Sequence, residues 1–222
     1  MGDKGTFLYE IWVARGSLLS GAALTMQLSL AVIAIGSFIG CFGGLGLVYG
    51  PAPLRLAIRS VVEVLRGVPV LVLILFCYYG LALFSIDVTA PAAGVIALSG
   101  FCAAHMSETF RGAVASIPVG QTEAAKAIGM RFWQRLTYVI LPQAARRMLP
   151  PWVNTGVEIV KGTTLLSIIG VVELLLSTQQ AIARNYLIIQ FYLAAALIYI
   201  IINFSVSQLG AWLERRFAYF RY

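Results

Sequence analysis

The chain has 222 residues, of which 60% are hydrophobic and only 11% charged, with a net charge of +7. Soluble domains carry about 25% charged residues, so this composition, with a mean hydropathy of +0.88, excludes an ordinary soluble domain and indicates one compact membrane unit over 1–222. No basic, aromatic-interleaved patch is long enough to follow a phosphate backbone, so nucleic acid is not an expected partner.

The N-terminal stretch MGDKGTFLYEIWVARG lacks the basic-then-apolar order of a signal peptide. It fits the short myristoylation pattern at Gly2 and Thr6. Apolar runs long enough to contain the roughly 20 residues a bilayer needs then mark the spans. The first is expected at about 18–49, and its Gly36, Gly40 and Gly44 form a ladder suited to close helix approach. Gly44, Gly46 and Gly50 do not make a nucleotide loop, since no strand precedes them and no lysine follows. The second span is expected at about 60–84, with a possible kink or gate at Arg66-Gly67-Val68-Pro69. The third runs over about 88–110 with His105 near its end, the fourth over about 150–176 with Glu158, Lys161 and Glu173, and the last over about 188–213. Cys41, Cys77 and Cys102 lie in apolar runs without metal-ligand spacing, so they are expected to be buried thiols, and no metal site is expected. The fold class is therefore an all-α membrane protein of five transmembrane helices.

Five spans put the termini on opposite sides. Arg55, Arg59, Arg66, the six basic residues from Arg111 to Arg147, and Arg215, Arg216 and Arg221 fall on one side. Lys4, Arg15 and Arg184 fall on the other. The positive-inside rule makes the first side cytoplasmic, with the N-terminus outside and the C-terminus inside.

The loop at about 116–147 is then cytoplasmic. It reads QTEAAKAIGMRFWQRLTYVILPQ over 121–143. A short helix through EAAKAI is expected to stop at Gly129, and a second through FWQRLTYVI to end at Leu141-Pro142. Isolated helices this short are marginal in water. An apolar side of Ala124, Ala125 and Ile128 suggests a docking surface for a partner. The chain has no Gly-Lys-Ser/Thr phosphate loop and does not bind ATP by that device.

EAAKAIG followed by Val139-Ile140-Leu141-Pro142 resembles the EAA loop of bacterial ABC importer permeases, with Val139 at a position usually held by Ile. LTMQLSLAVIAIG, VVEVLRGVPVLVLILFCYYGL, ETFRGAVASIPVGQTEAAKAIG, LPQAARRMLPPWVN and LLSIIGVVELL extend the resemblance over nearly the whole chain. They are similar to the polar amino acid uptake group that handles histidine, arginine, glutamine, glutamate and opines. The resemblance implies a type I ABC importer permease fold in the bacterial inner membrane. It implies a second permease subunit (the same or a homologous chain), a dimer of ABC ATPase subunits, a periplasmic binding protein and a polar amino acid substrate. ATP and Mg would belong to the ATPase, and this chain would hold no cofactor and catalyse nothing. Glu123, Ala124, Ala125 and Gly129 match the family's ATPase-coupling positions, with Glu123 expected at a helix N-terminus, where the dipole favours an anion.

Ionisable groups at membrane depth are costly and therefore candidates for the substrate path. Glu158 and Lys161 sit three apart on one helix. Either Glu158 meets a substrate cation, or the two neutralise each other. His105, Glu108 and Arg111 follow at i, i+3 and i+6. His105 stands where the family usually has Tyr, and its bland reading is a hydrogen-bonded interior histidine. Glu108 and Arg111 match the family's E-x-x-RG and read as ion partners. Gly162 replaces the Asp of KDTS-type patterns, and Leu65 and Val68 replace Phe and Thr, which weakens inference about substrate. A stand-alone secondary transporter driven by an ion gradient is the competing reading; it would need no docking loop, and no internal repeat is visible. A membrane-embedded enzyme finds no catalytic constellation in one His and no clustered intramembrane acids.

Overall fold

The computed structural model describes residues 6–217. Gly2 of the myristoylation pattern, Lys4 and Arg221 lie outside the described residues. Among the described residues every regular element is helical. The order is α1 (Phe7–Tyr49), α2 (Ala52–Gly67), α3 (Val70–Leu75) continued by a π turn (Phe76–Gly80), α4 (Ala90–Ala115), α5 (Val119–Ala127) and α6 (Phe132–Arg135). A π segment (Leu136–Ile140), α7 (Leu141–Gly162), a 3-10 segment (Thr163–Ile169), α8 (Leu174–Asn185) and α9 (Ile188–Phe217) complete it.

Helix α1 begins at Phe7, well before Leu18, because nothing in FLYEIWVARG breaks a helix. Its 43 residues exceed what a span requires: 1.5 Å per residue gives about 65 Å, against a hydrocarbon core of about 30 Å. Near its start, exposed Trp12 lies under the Arg15 guanidinium, 3.6 Å from the ring centroid. An aromatic ring beside a cation is the composition of a membrane interface.

The helix expected over 60–84 is interrupted at Val68-Pro69. Pro69 disfavours α backbone at the residue before it, and Val68 is accordingly extended at φ −84, ψ 133. The apolar piece Val70–Gly80 is only about 16 Å long at 1.5 Å per residue and cannot cross alone.

The hairpin's second helix does not end at Leu141-Pro142. The Leu141 N–H donates to the Leu136 carbonyl, a π-type bond that shifts the ladder just ahead of Pro142. Helical backbone then continues through Pro150 and Pro151, both inside α7, to the 3-10 segment. It stops at Gly170, whose φ of +83 only glycine adopts at no steric cost. Pro150 is therefore interior to a helix.

Among the described residues three helices are long and apolar enough to cross a membrane, Phe7–Tyr49, Ala90–Ala115 and Ile188–Arg216. The count rises to five if Ala52–Gly67 with Val70–Gly80, and Phe132–Ile169 with Leu174–Asn185, each make one bent span.

Two compact units share these helices. One takes the chain up to Ile33, Pro69–Ser99 and Val157–Val206. Its core joins Ala14, Leu18, Leu174, Ala181 and Phe191, and Gly21 admits α8 so closely that a Cβ there would meet the Ser177 hydroxyl. The other takes Ala34–Val68, Gly100–Gly156 and the chain from Ser207. There the glycine ladder packs α1 against α4: a Cβ on Gly40 would strike Met106, and one on Gly44 would strike Phe110 at 2.5 Å. Ala113, Ile117, Leu136, Ile140 and Ala144 form a second core beneath the hairpin. Of the three thiols expected to be buried, only Cys102 is; Cys41 and Cys77 are half-exposed.

Candidate functional site

The hairpin is built from its caps outward. Pro118 supplies the extended entry, and α5 starts at Val119. At its end the Met130 N–H bonds the Ala125 carbonyl at 3.1 Å and the Gly129 N–H bonds that of Lys126 at 2.9 Å. These two bonds with left-handed Gly129, φ +82, make a Schellman stop. The next helix is set directly after it. The Gln134 Oε1 accepts from the Arg131 N–H at 2.8 Å, and the Arg135 guanidinium donates to the Met130 carbonyl at 2.8 Å.

Beneath, α5 touches α6 and the π segment. The Gln143 amide donates to Val139's carbonyl at 2.9 Å and to Gln121's side-chain oxygen at 3.4 Å. The Arg147 guanidinium donates to the Ser116 carbonyl. Tyr49 meets Phe132 edge-on, centroids 5.2 Å apart. The hairpin thus has a defined base formed by its own unit.

Its outer surface departs from the expectation in two respects. Ala125 is buried, whereas Ala124 and Ile128 are exposed, so the three do not form one apolar side. Glu123 does not sit in the first turn, because α5 starts four residues earlier. It is an exposed mid-helix carboxylate, too far along for the dipole to act fully on it. Sequence reasoning named Ile128, 74% exposed, but missed the other large exposed side chains: Val119 at 71%, Trp133 at 69% and Tyr138 at 73%. The signal was available, since a tryptophan and a tyrosine in the most polar loop of the chain have no core to fill.

The substrate-path candidates fall in local pairs. Glu108 and Arg111 form a 2.7 Å ion pair on α4, with a second bond of 3.0 Å from the Arg Nε. His105 stacks on Phe101, centroids 4.4 Å apart, and is half-buried. On α7, Glu158 and Lys161 are both exposed, and no ion pair joins them among the described residues. Mutual neutralisation therefore does not account for them. Gly162 has only ordinary contact with Leu98, at 3.5 Å from a built Cβ.

Glu173, named in the sequence only as one charge in the fourth span, is fully buried. Its carboxylate accepts from the Leu175 and Leu176 N–H groups at 3.0 Å each, capping α8. It also accepts from the Tyr199 hydroxyl at 2.7 Å, while Thr25, 3.5 Å away, accepts from the Leu174 N–H at 3.2 Å. One carboxylate thereby ties α1, α8 and α9. No group of three metal-ligating side chains occurs among the described residues.

The chain as a whole is similar to known proteins. The profile of the binding-protein-dependent transport system inner membrane component matches residues 33–219. The glutamine transport system permease protein GlnP of Escherichia coli (strain K12) is 36% identical over 208 residues, 93% of this chain and 95% of its own. The octopine transport system permease protein OccM of Rhizobium radiobacter is 35% identical over 95% of this chain and 91% of its own. The crystal structure of an amino acid ABC transporter with histidines superposes at TM-score 0.88 with 31% identity, covering 96% of this chain and 99% of its own. The inward-facing MetNI methionine ABC transporter matches at TM-score 0.78 and 18% identity, a likeness of fold alone. The chain belongs to the family of binding-protein-dependent transport system inner membrane components.

Proposed function

We propose that this chain is the membrane-spanning subunit of an ATP-driven importer of a polar amino acid or amino-acid derivative. The permeases it is similar to serve glutamine and octopine transport. In this reading both bent pairs are spans, giving five in a single permease domain over 1–222, with the N-terminus periplasmic and the C-terminus cytoplasmic. The chain sits in a bacterial inner membrane and pairs with a second permease subunit, the same or homologous. A periplasmic binding protein delivers substrate. ATP and Mg are held by the ATPase pair, and this chain has no catalytic role.

The observation that carries the reading is the hairpin. It is polar and capped at both helices, stands on its own buried base, and presents large apolar side chains to solvent. Exposed apolar anchors on an otherwise charged element mark a protein interface. We place the ATPase on Glu123, Ala124, Ala125 and Gly129, with Ala125 and Gly129 setting the shape and Ile128 and Trp133 as added anchors. Nucleotide-driven closure of the ATPase pair would pull on two such hairpins and switch the bundle between access states. Moving such an equilibrium from 1:99 to 99:1 takes about 5.5 kcal/mol of differential binding. His105, Glu108, Glu158 and Lys161 are proposed for the substrate path. Glu108 acts there through its pairing with Arg111, and Glu158 is the direct contact.

Reconstitution tests this. Vesicles holding permease, ATPase and binding protein should show substrate-stimulated ATP hydrolysis and uphill uptake. An Ile128→Asp/Trp133→Asp variant should lose co-purification of the ATPase and the stimulation together. Uphill uptake by the permease alone would establish the ion-gradient reading instead.

A further inference from the structure

Helix α2 is only lightly embedded in its unit. Only Val62 is buried, and Ile58 and Leu65 are half-buried; all its other residues are exposed. Yet Leu54, Leu56, Val61 and Val64 are among those exposed, at 47–67%. An apolar crevice of about 600 Å³ opens beside it. Its walls are Leu54, Ile58 and Val61 of α2, Phe42 and Gly46 of α1, and Ala103 of α4, together with their neighbours. Ser107 is the only polar side chain lining it, and that hydroxyl is already engaged with the Gly40 and Ala103 carbonyls at 3.2 and 2.8 Å. The slot itself therefore offers hydrogen bonds to no polar group and suits an apolar occupant.

A row of charge runs along another side of α2, outside the lining of the crevice. At 100° per residue, Arg55, Arg59 and Arg66 fall within about 40° of one another, and the Leu54–Ile58–Val61–Leu65 row lies about 110° round the helix. Arg55 is exposed, with a single long bond to the Gly50 carbonyl at 3.4 Å. Arg59 touches Glu63 at 3.7 Å with the two side chains 55% and 70% exposed, a pairing of little strength in solvent. The helix therefore offers net positive charge beside an oily slot.

We propose that the α1–α2–α4 crevice is a site for one anionic phospholipid, an acyl chain lying in the slot and the phosphate headgroup on Arg55 and Arg59. The proposal rests on the chain being a membrane subunit and is independent of what it transports. The arginine edge selects the occupant: an acyl chain alone, or an apolar helix of a second copy, brings no anion to Arg55, and none to Arg59 beyond Glu63 and the nearby Glu108. The site commits basic side chains to an anionic surface, where each contributes enough that two give roughly a 30-fold preference.

Native mass spectrometry of the detergent-purified importer, titrated with phosphatidylglycerol or phosphatidylcholine, tests it. The wild type should retain phosphatidylglycerol roughly 30-fold better, and Arg55→Gln/Arg59→Gln should bring the ratio near one. Arg215→Gln/Arg216→Gln, on α9, should leave it high. Ala57→Phe, which fills the slot from an exposed position, should lower retention of both lipids. Equal retention of the two lipids by the wild type would overturn the proposal. So would an unchanged ratio in the α2 double variant, or glycerol 3-phosphate binding as well as the whole lipid. An Ala57→Cys variant that cross-links to a second permease chain in native membranes would replace the lipid with protein as the occupant.

Discussion

A carboxylate taken out of water needs either a cation or a full set of hydrogen bonds. Glu173 has no ion pair among the described residues and meets the need with donors: two backbone N–H groups and a tyrosine hydroxyl. Its removal should therefore be costly in a specific way. Glu173→Ala leaves these three half-buried donors without their acceptor, at up to about 1–3 kcal/mol each, so the unfolding midpoint of the solubilised permease should fall sharply. Glu173→Gln keeps the shape and one good acceptor and should fall much less. Equal midpoints for Glu173→Ala and wild type would show that the clasp contributes nothing. The sequence could not reveal this role. Tyr199 lies 26 residues from Glu173 and Thr25 lies 148 away, and nothing local records which hydroxyls a fold will bring to an acid. Glutamate is also not a preferred N-cap residue, so the start of α8 carried no familiar signature. Glu108 was the opposite case. Its partner Arg111 is one helical turn along, and three-residue spacing on a helix is legible without a structure.

Elements were legible wherever one physical effect dominated. Long charge-free runs gave α1, α4 and α9, because burying apolar length in a bilayer overrides detail. Proline was harder. Pro69 does break a helix, as its effect on Val68 requires, whereas Pro142, Pro150 and Pro151 are carried inside helical backbone. The difference lies in whether a neighbouring turn can absorb the missing N–H. The π segment before Pro142 does so, and no residue-level rule announces a π turn. Glycine was read more securely. Gly129 ends α5 in the left-handed region, as the EAAKAIG spacing implied, and a Cβ there would meet no atom within 4 Å. The cost of Gly129→Ala is thus backbone strain alone, about 1–2 kcal/mol. It should appear locally: amide exchange across α5 should quicken roughly five- to thirtyfold, with the global unfolding midpoint nearly unmoved. Unchanged exchange in α5 would mean that the stop does not depend on the left-handed turn. A global collapse would mean that the hairpin and its base unfold as one.

At the scale of the whole molecule, the surface separates into two kinds of exposure. Leu193, Leu197, Ile200, Ile201 and Phe204 of α9 are bare and apolar, as suits a face turned to lipid. Glu158 and Lys161 are equally bare but charged, on a bent segment that counts among the candidate spans. Lipid cannot solvate them at low cost, and they do not pair with each other, so that face of α7 must meet water, substrate or a second permease. A path for a polar amino acid supplies water and ligand at once. If Glu158 reads a substrate cation, a charge-assisted bond is at stake. Losing about 1.5–3 kcal/mol raises the half-saturating concentration of a cationic substrate about ten- to a hundredfold in Glu158→Gln, measured as ATP-driven uptake by the complete importer. A neutral substrate with the same backbone groups should be less affected, because its side chain makes no such bond. An equal change for both would place Glu158 at the subunit boundary, and no change for either would remove it from the path.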